Sequence, residues 1–522
     1  MVRAAEACEC FLWVATDDIS PTFIHRWPFD DVTDKGGRHF PAHLEVWRLE
    51  RASEWSSFLK YICYADPPFP DFSYVTRRNG SVAKLTSAER TFLNKDKPGP
   101  RTLLDVTSLP AAAPLVVRTV AIDDPGPLLN LLPERSPFAW VRRGDGLVGW
   151  GTAARFDATG EGQIAAADRW WRGLTARTVV RDEVGLPGCG PVAFGSFAFD
   201  DGLGTSTLIL PKVVVGHRSG RWWVTTVGEN GALPPTPSLP TGRQPRNPGT
   251  VTFADGARSG AEWELTVAEA VLRINTGELE KVVLARDLVA EAAGPVDPRW
   301  PLIRLAEQYP RCWTFSVDGL VGATPEMLVR LERGLITSRV LAGTIRRTGD
   351  DEHDLALAAS LARSSKDLEE HEYAVRSVAH ALEPYCSSMN VPETPFVLHL
   401  PNVMHLATDV AGVAADGVSS LGLAAALHPT AAVCGTPTER ARELIRELEG
   451  MDRGRYAGPV GWIDGYGDGE WGIALRCARI DPERPERLRL FAGCGVVAGS
   501  DPSAELAESA AKLVPMRDAL TG

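Results

Sequence analysis

The sequence predicts an α/β fold of two packed, mainly antiparallel sheets flanked by helices. Three observations carry that expectation. Residues 113–228 form a run of apolar, strand-like segments punctuated by glycine, and residues 260–385 alternate helical with strand periodicity. Residues 428–462, HPTAAVCGTPTERARELIRELEGMDRGRYAGPVGW, join a complete helix signature to a glycine-bounded aromatic strand. Pattern alone equally allows two domains divided at the Pro/Gly-rich stretch 229–250, ENGALPPTPSLPTGRQPRNPGT.

Residues 1 to about 112 differ from the rest. They are aromatic and charged, follow no regular period, and close on the Pro/Lys-rich LNKDKPGPR. No Met occurs between Met1 and Met327. These residues are therefore expected to be a poorly ordered extension of unknown fold, or to lie upstream of the true start. The catalytic domain is expected over 113–522.

From 113 onward LVVRTVAI, FAWVRR, GLVGWGTAARF, PVAFGSFAFD and STLILPKVVVGHR read as strands. Trp263, Val267, Ala270, Val271 and Ile274 share one face of a helix that Thr276-Gly277 ends, and KVVLARDLVAEA then reads as a strand. A helix-rich stretch covers about 351–385. GPVGWIDGYGDGEWGIALRCARI reads as a hairpin, followed by the strand LRLFAGCGVV and a final helix. Within 428–462, Thr436-Pro437-Thr438-Glu439 reads as a capping box, Ala441, Leu444, Ile445 and Leu448 as its apolar stripe, and Gly450 as its stop.

Composition narrows the function. The 522-residue chain carries 55 basic against 67 acidic residues, a net charge of −12, which disfavours nucleic acid or an anionic membrane as partner. An anionic substrate would need a metal or a few placed Lys and Arg. Nine cysteines contain no CxxC pair, only Cys8-Glu9-Cys10, and their odd number favours a reducing cytoplasm. No apolar run approaches the ~18 residues of a membrane span.

Two acidic pairs stand out. Asp367 and Glu370 follow the N-cap candidates Ser364 and Ser365, and Glu505 and Glu508 lie in the last helix. The i,i+3 spacing sets each pair on one helix face. Four carboxylates converging from two helices would suit a hard cation, Mg²⁺ above all. Spacing alone does not bring the helices together, and by itself it reads as solvated surface.

A wider pattern resembles the isochorismate synthases, a branch of the chorismate-utilising enzymes. EKVVLARDL (280–288), VGATPEMLVR (321–330), LAGTIRR (341–347), SSKDLEEHEYAV (364–375) and the 428–462 block occur in the order of that family. PNVMHLATDVAG (401–412) and LRLFAGCGVVAGSDPSAELAESAAKLVPM (488–516) extend the likeness over roughly 115–522. The resemblance implies a single large domain of two packed sheets and a Mg²⁺-dependent conversion of chorismate to isochorismate. It implies Lys281 as the base that takes a proton from water attacking C2. A lysine does so only as the free amine, so burial or nearby positive charge has to favour that form. It implies Glu326 as the acid that protonates the departing C4 hydroxyl, which calls for a raised proton affinity.

The resemblance further implies Glu370 and Glu508 as metal ligands, with Asp367 and Glu505 acting through water. Gly343 and Thr344 would hold the ring carboxylate. Arg476, Tyr456, Gly493, Gly495 and Lys512 would face the pyruvyl side, and His405 the leaving group. His428 reads as structural. Cys494 stands where many relatives have Ala, a small residue in either case. Lys281 favours water over ammonia as nucleophile, so no glutaminase subunit is expected, and Ala342 disfavours the aminodeoxychorismate type. Salicylate synthases share both features and remain the nearest alternative. HPTAAVCGTP resembles the menaquinone-pathway type more than the siderophore type. A cytoplasmic monomer or weak homodimer is expected.

Overall fold

A computed structural model describes residues 114–228, 231–240, 244–399 and 403–521, with backbone alone at residues 344, 366 and 370, and five short strands within 1–113. The chain divides into two compact units, Met1–Ala111 and Ala112–Gly522. In the first, Val32–Thr33 pairs with His39–Phe40, and Lys60–Tyr61, Tyr74–Thr76 and Val82–Lys84 form a small antiparallel sheet. The expectation of a poorly ordered or untranslated extension falls on residues outside those described.

The second unit contains a thirteen-stranded and a ten-stranded sheet. Among the described pairings only Val179–Asp182 with Val116–Ile122 is parallel; the rest are antiparallel, as the sequence predicts. Strands from either side of the 229–250 stretch share both sheets. Phe138–Arg142 pairs with Trp313–Val317 in the larger, and Val192–Ser196 with Pro459–Asp464 in the smaller. That interleaving makes one unit and removes the two-domain alternative.

The core explains the pairing. Phe138, Trp140, Leu284 and Phe315 of the larger sheet are buried in one cluster with Phe194, Leu208, Trp462 and Trp471 of the smaller. Lys281–Ala292 shows why a long strand forms. It is rich in β-branched and small apolar residues, and seven consecutive positions from Val282 to Leu288 are buried, as in a strand covered on both faces. Helix Gly260–Asn275 covers it, burying Trp263, Val267, Ala270 and Ile274 at helical spacing. Its start is a reciprocal capping box between Ser259 and Glu262.

Two local expectations are corrected. Helix Thr438–Leu448 has Pro437 at its N-cap and no side-chain cap, so Thr436-Pro437-Thr438-Glu439 is not a capping box. Thr436 is instead paired with Lys281, and its carbonyl accepts from the Glu280 N–H at 2.9 Å. A strand partner has recruited the residue that local spacing assigns to the cap. The hairpin is also shorter than expected. Pro459–Asp464 and Gly469–Ile473 form it, whereas Cys477–Ile480 leaves for the larger sheet, between Leu320–Thr324 and Arg487–Val496.

Candidate active site

Glu326 occupies the two-residue connection between strands Leu320–Thr324 and Met327–Glu332, one in each sheet. Its N–H donates to Thr324 Oγ1 at 3.2 Å and its carbonyl accepts from the Ile473 N–H at 3.1 Å. The residue keeps some exposure while its carboxyl is enclosed. Burial pushes that carboxyl up to about 7, against the opposing pull of Lys512, Lys281 and Arg476. Three cations thus lie within electrostatic reach of one acid.

Lys281 opens the strand Lys281–Ala292 and is half-buried. It faces Gly495 across the pair of strands. A Cβ built on that glycine would stand 3.0 Å from the Lys281 Cε and 3.7 Å from its Nζ. Lack of a side chain at Gly495 therefore leaves the space that the end of the Lys281 side chain occupies. Gly493, two residues earlier, pairs with Ala285, and its carbonyl accepts from Lys512 Nζ at 2.8 Å.

The acidic pairs fall on helices Ser365–Leu382 and Pro502–Thr521. Ser364 caps the first through the Asp367 N–H. Asp367 lies against Gly343, whose φ of 76° sits at a bulge in strand Leu335–Arg346; a Cβ there would be 3.3 Å from the Asp367 Cβ. On the second helix, single ligand atoms of Glu505, Glu508 and Cys494 lie within 4.8 Å of one another. Ser500 Oγ donates to Glu505 Oε1 at 2.8 Å, and Lys512 Nζ lies 2.7 Å from Glu508 Oε1. The side chains of Glu370 and Thr344 lie outside the described residues. The gathered carboxylate oxygens of Glu505 and Glu508 fit a hard divalent cation; Asp367 is not part of that cluster. The Cys494 thiol donates to the Glu505 carbonyl, and burial pushes its proton affinity up, so as it stands it is a small apolar residue and no anionic ligand.

Arg476 lies in the crossover between sheets with φ 49°, a left-handed conformation that a side chain adopts at a cost of about 1 kcal/mol. Its guanidinium is largely enclosed, with Tyr456, Cys312, Tyr309 and Glu508 in electrostatic reach. Among the described residues no hydrogen bond or ion pair engages it, so an anionic ligand would meet a desolvated cation. Tyr456 is buried and stacks on Phe491 with centroids 5.1 Å apart. His405 is opposite Thr344 in the strand register. Burial lowers it to about 4, helped by Arg476 and Lys512, so it is neutral at pH 7. His428, half-buried and edge-on to the Phe199 ring, bonds the Phe199 carbonyl at 3.0 Å and is structural.

Lys281, Glu326, Gly343, Asp367, His405, Tyr456, Arg476, Gly493, Gly495, Glu505, Glu508 and Lys512 are therefore linked by contact or field in one region. Sequence reasoning missed Ser500, which orients Glu505 and follows the glycine-rich AGCGVVAG, and Cys312 and Tyr309, which lie within electrostatic reach of Arg476. No local signal marks the last two.

Comparison with known proteins follows the same lines. Residues 240–521 match the family described as chorismate binding enzyme. The salicylate biosynthesis isochorismate synthase of Pseudomonas aeruginosa is 34% identical over 401 residues, 71% of this chain and 82% of that protein. An isochorismate synthase of Bacillus subtilis is 43% identical over 266 residues, 49% of this chain and 66% of that one. The solved structure of the menaquinone-specific isochorismate synthase of Escherichia coli aligns with a TM-score of 0.64 at 25% identity, covering 78% of this chain and 95% of that chain.

Proposed function

We propose, from the premise that this chain belongs to the chorismate-binding enzymes, that it is an isochorismate synthase in which Lys281 and Glu326 are base and acid. Chorismate gains water at C2 and loses the C4 hydroxyl as the ring double bonds shift, so one water enters and one leaves. Lys281 takes a proton from the attacking water. Glu326 gives its proton to the departing hydroxyl. The observation that carries this reading is the enclosed Glu326 carboxyl, pushed up to about 7 by burial, with Lys281 in reach: an acid raised in this way keeps its proton far closer to neutral pH than an ordinary glutamate does.

Two carboxylates on chorismate explain the remaining charge. Arg476 and Lys512, with amides around Gly493 and Gly495, suit the pyruvyl carboxylate, and the Gly343 amide with Thr344 suits the ring carboxylate. Glu508 with Glu370, and Asp367 and Glu505 through water, would hold Mg²⁺, which when bound neutralises the ring carboxylate and eases charge migration across the ring. Neutral His405 can accept or donate a hydrogen bond near the leaving hydroxyl. No described helix is long and apolar enough to cross a membrane. The reading includes a cytoplasmic monomer or weak homodimer acting without a glutaminase, and HPTAAVCGTP supports a menaquinone role.

The test incubates purified protein with chorismate and Mg²⁺ and separates the products by chromatography. Isochorismate approaching equilibrium with chorismate is expected. Salicylate with stoichiometric pyruvate would overturn the assignment in favour of the lyase, and turnover that requires glutamine or ammonia would overturn the choice of water. Restored menaquinone in a bacterial strain lacking its own menaquinone-pathway synthase would support that role; restored siderophore alone would refute it.

A further inference from the structure

Strand Lys281–Ala292 has one complete edge and one interrupted edge. Arg487–Val496 pairs with it from Val282 to Glu291. On the other edge Gly435–Thr436 covers only Lys281 and Val282, and Val251–Asp255 covers only Leu288 to Ala292. Between those partners, among the described residues, no strand lies beside Val283–Asp287. Buried backbone groups still need partners there.

Backbone meets the two ends, the Val283 N–H donating to the Cys434 carbonyl at 2.8 Å and the Gly256 N–H to the Asp287 carbonyl at 3.1 Å. Side chains supply the rest, Trp263 Nε1 donating to the Ala285 carbonyl at 3.2 Å. Arg453 Nη2 donates to the Val283 carbonyl at 2.6 Å, and the Ala285 N–H donates to Glu449 Oε1 at 2.7 Å. Arg453 Nη1 also donates to the Val433 carbonyl at 2.9 Å, tying down the segment that leads into Gly435–Thr436. Glu449 and Arg453, 2% and 4% exposed, are joined through Nε and Oε2 at 2.9 Å and by a second contact through Nη2 and Oε1. The guanidinium lies 4.1 Å from the Phe199 ring centroid. A buried ion pair seldom out-stabilises apolar residues of the same volume. What an apolar pair could not do is bond three backbone groups on two segments at once.

We infer that Glu449 and Arg453 are a positioning pair that replaces the missing strand and thereby sets where the Lys281 amine stands. The inference rests on the proposed role of Lys281. Lys281 is two residues from Val283, whose pair is Gly495, and Ala285 pairs with Gly493, the anchor of Lys512. A shift of this edge moves the base, which stands on the strand itself, relative to Arg476, Glu326 and Lys512, which stand on other segments.

The test compares Arg453→Lys, which keeps the charge and loses the fork, Glu449→Leu, and Glu449→Gln, which keeps an oxygen for the Ala285 N–H. In folded Arg453→Lys and Glu449→Leu, kcat is expected to fall about tenfold or more with KM for chorismate within about twofold, because misplacing a base affects the reacting geometry before binding. Glu449→Gln is expected to recover most of kcat. Wild-type kcat in Arg453→Lys or Glu449→Leu, an equal change in KM, or a Glu449→Gln enzyme as slow as Glu449→Leu would overturn the inference. So would failure of all three to fold, since the pair would then be a folding element. Lys281→Ala is run alongside: near-normal turnover in it would sink the base assignment itself, whereas a dead Lys281→Ala with unaffected pair variants would sink only the positioning role.

Discussion

Lys512 and Glu508, one helical turn apart, hold each other at 2.7 Å, and the same ammonium reaches the Gly493 carbonyl at 2.8 Å. One cation thus joins a carboxylate suited to the metal to the glycine segment suited to the pyruvyl group. Lys512→Met is expected to raise KM for chorismate about tenfold or more, the effect of losing a charge-assisted hydrogen bond of about 1.5–3 kcal/mol. Calorimetric titration of Mg²⁺ into the same variant should show affinity equal to or above wild type, because Glu508 has lost its competing partner. Unchanged KM would refute the substrate role.

Glu326 makes a pH prediction with a definite sign. Its proton is the useful form, and it is held to about 7, so the acid-dependent part of kcat/KM should decline as pH rises through 7. The same burial bears on stability. With a folded value near 7 and an ordinary value of 4.5, the contribution is intact below about 4.5 and lost as pH rises through 7, a penalty of about 3 kcal/mol at the alkaline end. Glu326→Gln should nearly abolish turnover yet melt higher than wild type at pH 8, with the gap closing at pH 5. Equal melting curves at both pH values would contradict the burial argument.

Gly495→Ala separates shape from chemistry. The added methyl meets the flexible end of Lys281 and no backbone atom. Thermal melting should scarcely change, while kcat falls about tenfold from displacement of the amine. Normal kcat would mean that the amine is not confined where the glycine leaves room.

Metal removal tests the carboxylates. EDTA is expected to abolish isochorismate formation and added Mg²⁺ to restore it. Glu508→Gln should raise the Mg²⁺ concentration for half-maximal rate, with loss of the partly exposed Lys512 pair costing less than about 1 kcal/mol of stability. An unaltered Mg²⁺ titration would remove Glu508 from the ligand set.

The capping box supplies a control remote from chemistry. Ser259→Ala should cost about 1 kcal/mol in urea unfolding, the usual value of an N-cap, and leave kcat unchanged. A kinetic effect would show that helix Gly260–Asn275, through the Trp263 bond to the Ala285 carbonyl, also disciplines the Lys281 strand.

Much of this protein is local and therefore legible along the chain. Lys281–Ala292 is apolar enough to be a strand anywhere, Trp263, Val267, Ala270 and Ile274 keep helical spacing in any context, and Ser364 caps because its side chain needs only the next turn. Residue identities at Lys281, Glu326 and Glu508 could be picked out by their strings. Their chemistry could not. The Glu326 proton is held by enclosure between segments far apart in sequence, and nothing in TPEML encodes that desolvation. Thr436 left its cap because Lys281, 155 positions earlier by their numbers, needed a strand partner. Arg476 left its hairpin because the following strand fits the other sheet. Glu449 and Arg453, which look like any solvated i,i+4 pair, are buried because an interrupted edge required their bonds. Sequence determined the elements through short-range geometry; tertiary structure decided proton affinity, register and the use of charge, because burial and strand partnership are properties of distant residues brought together.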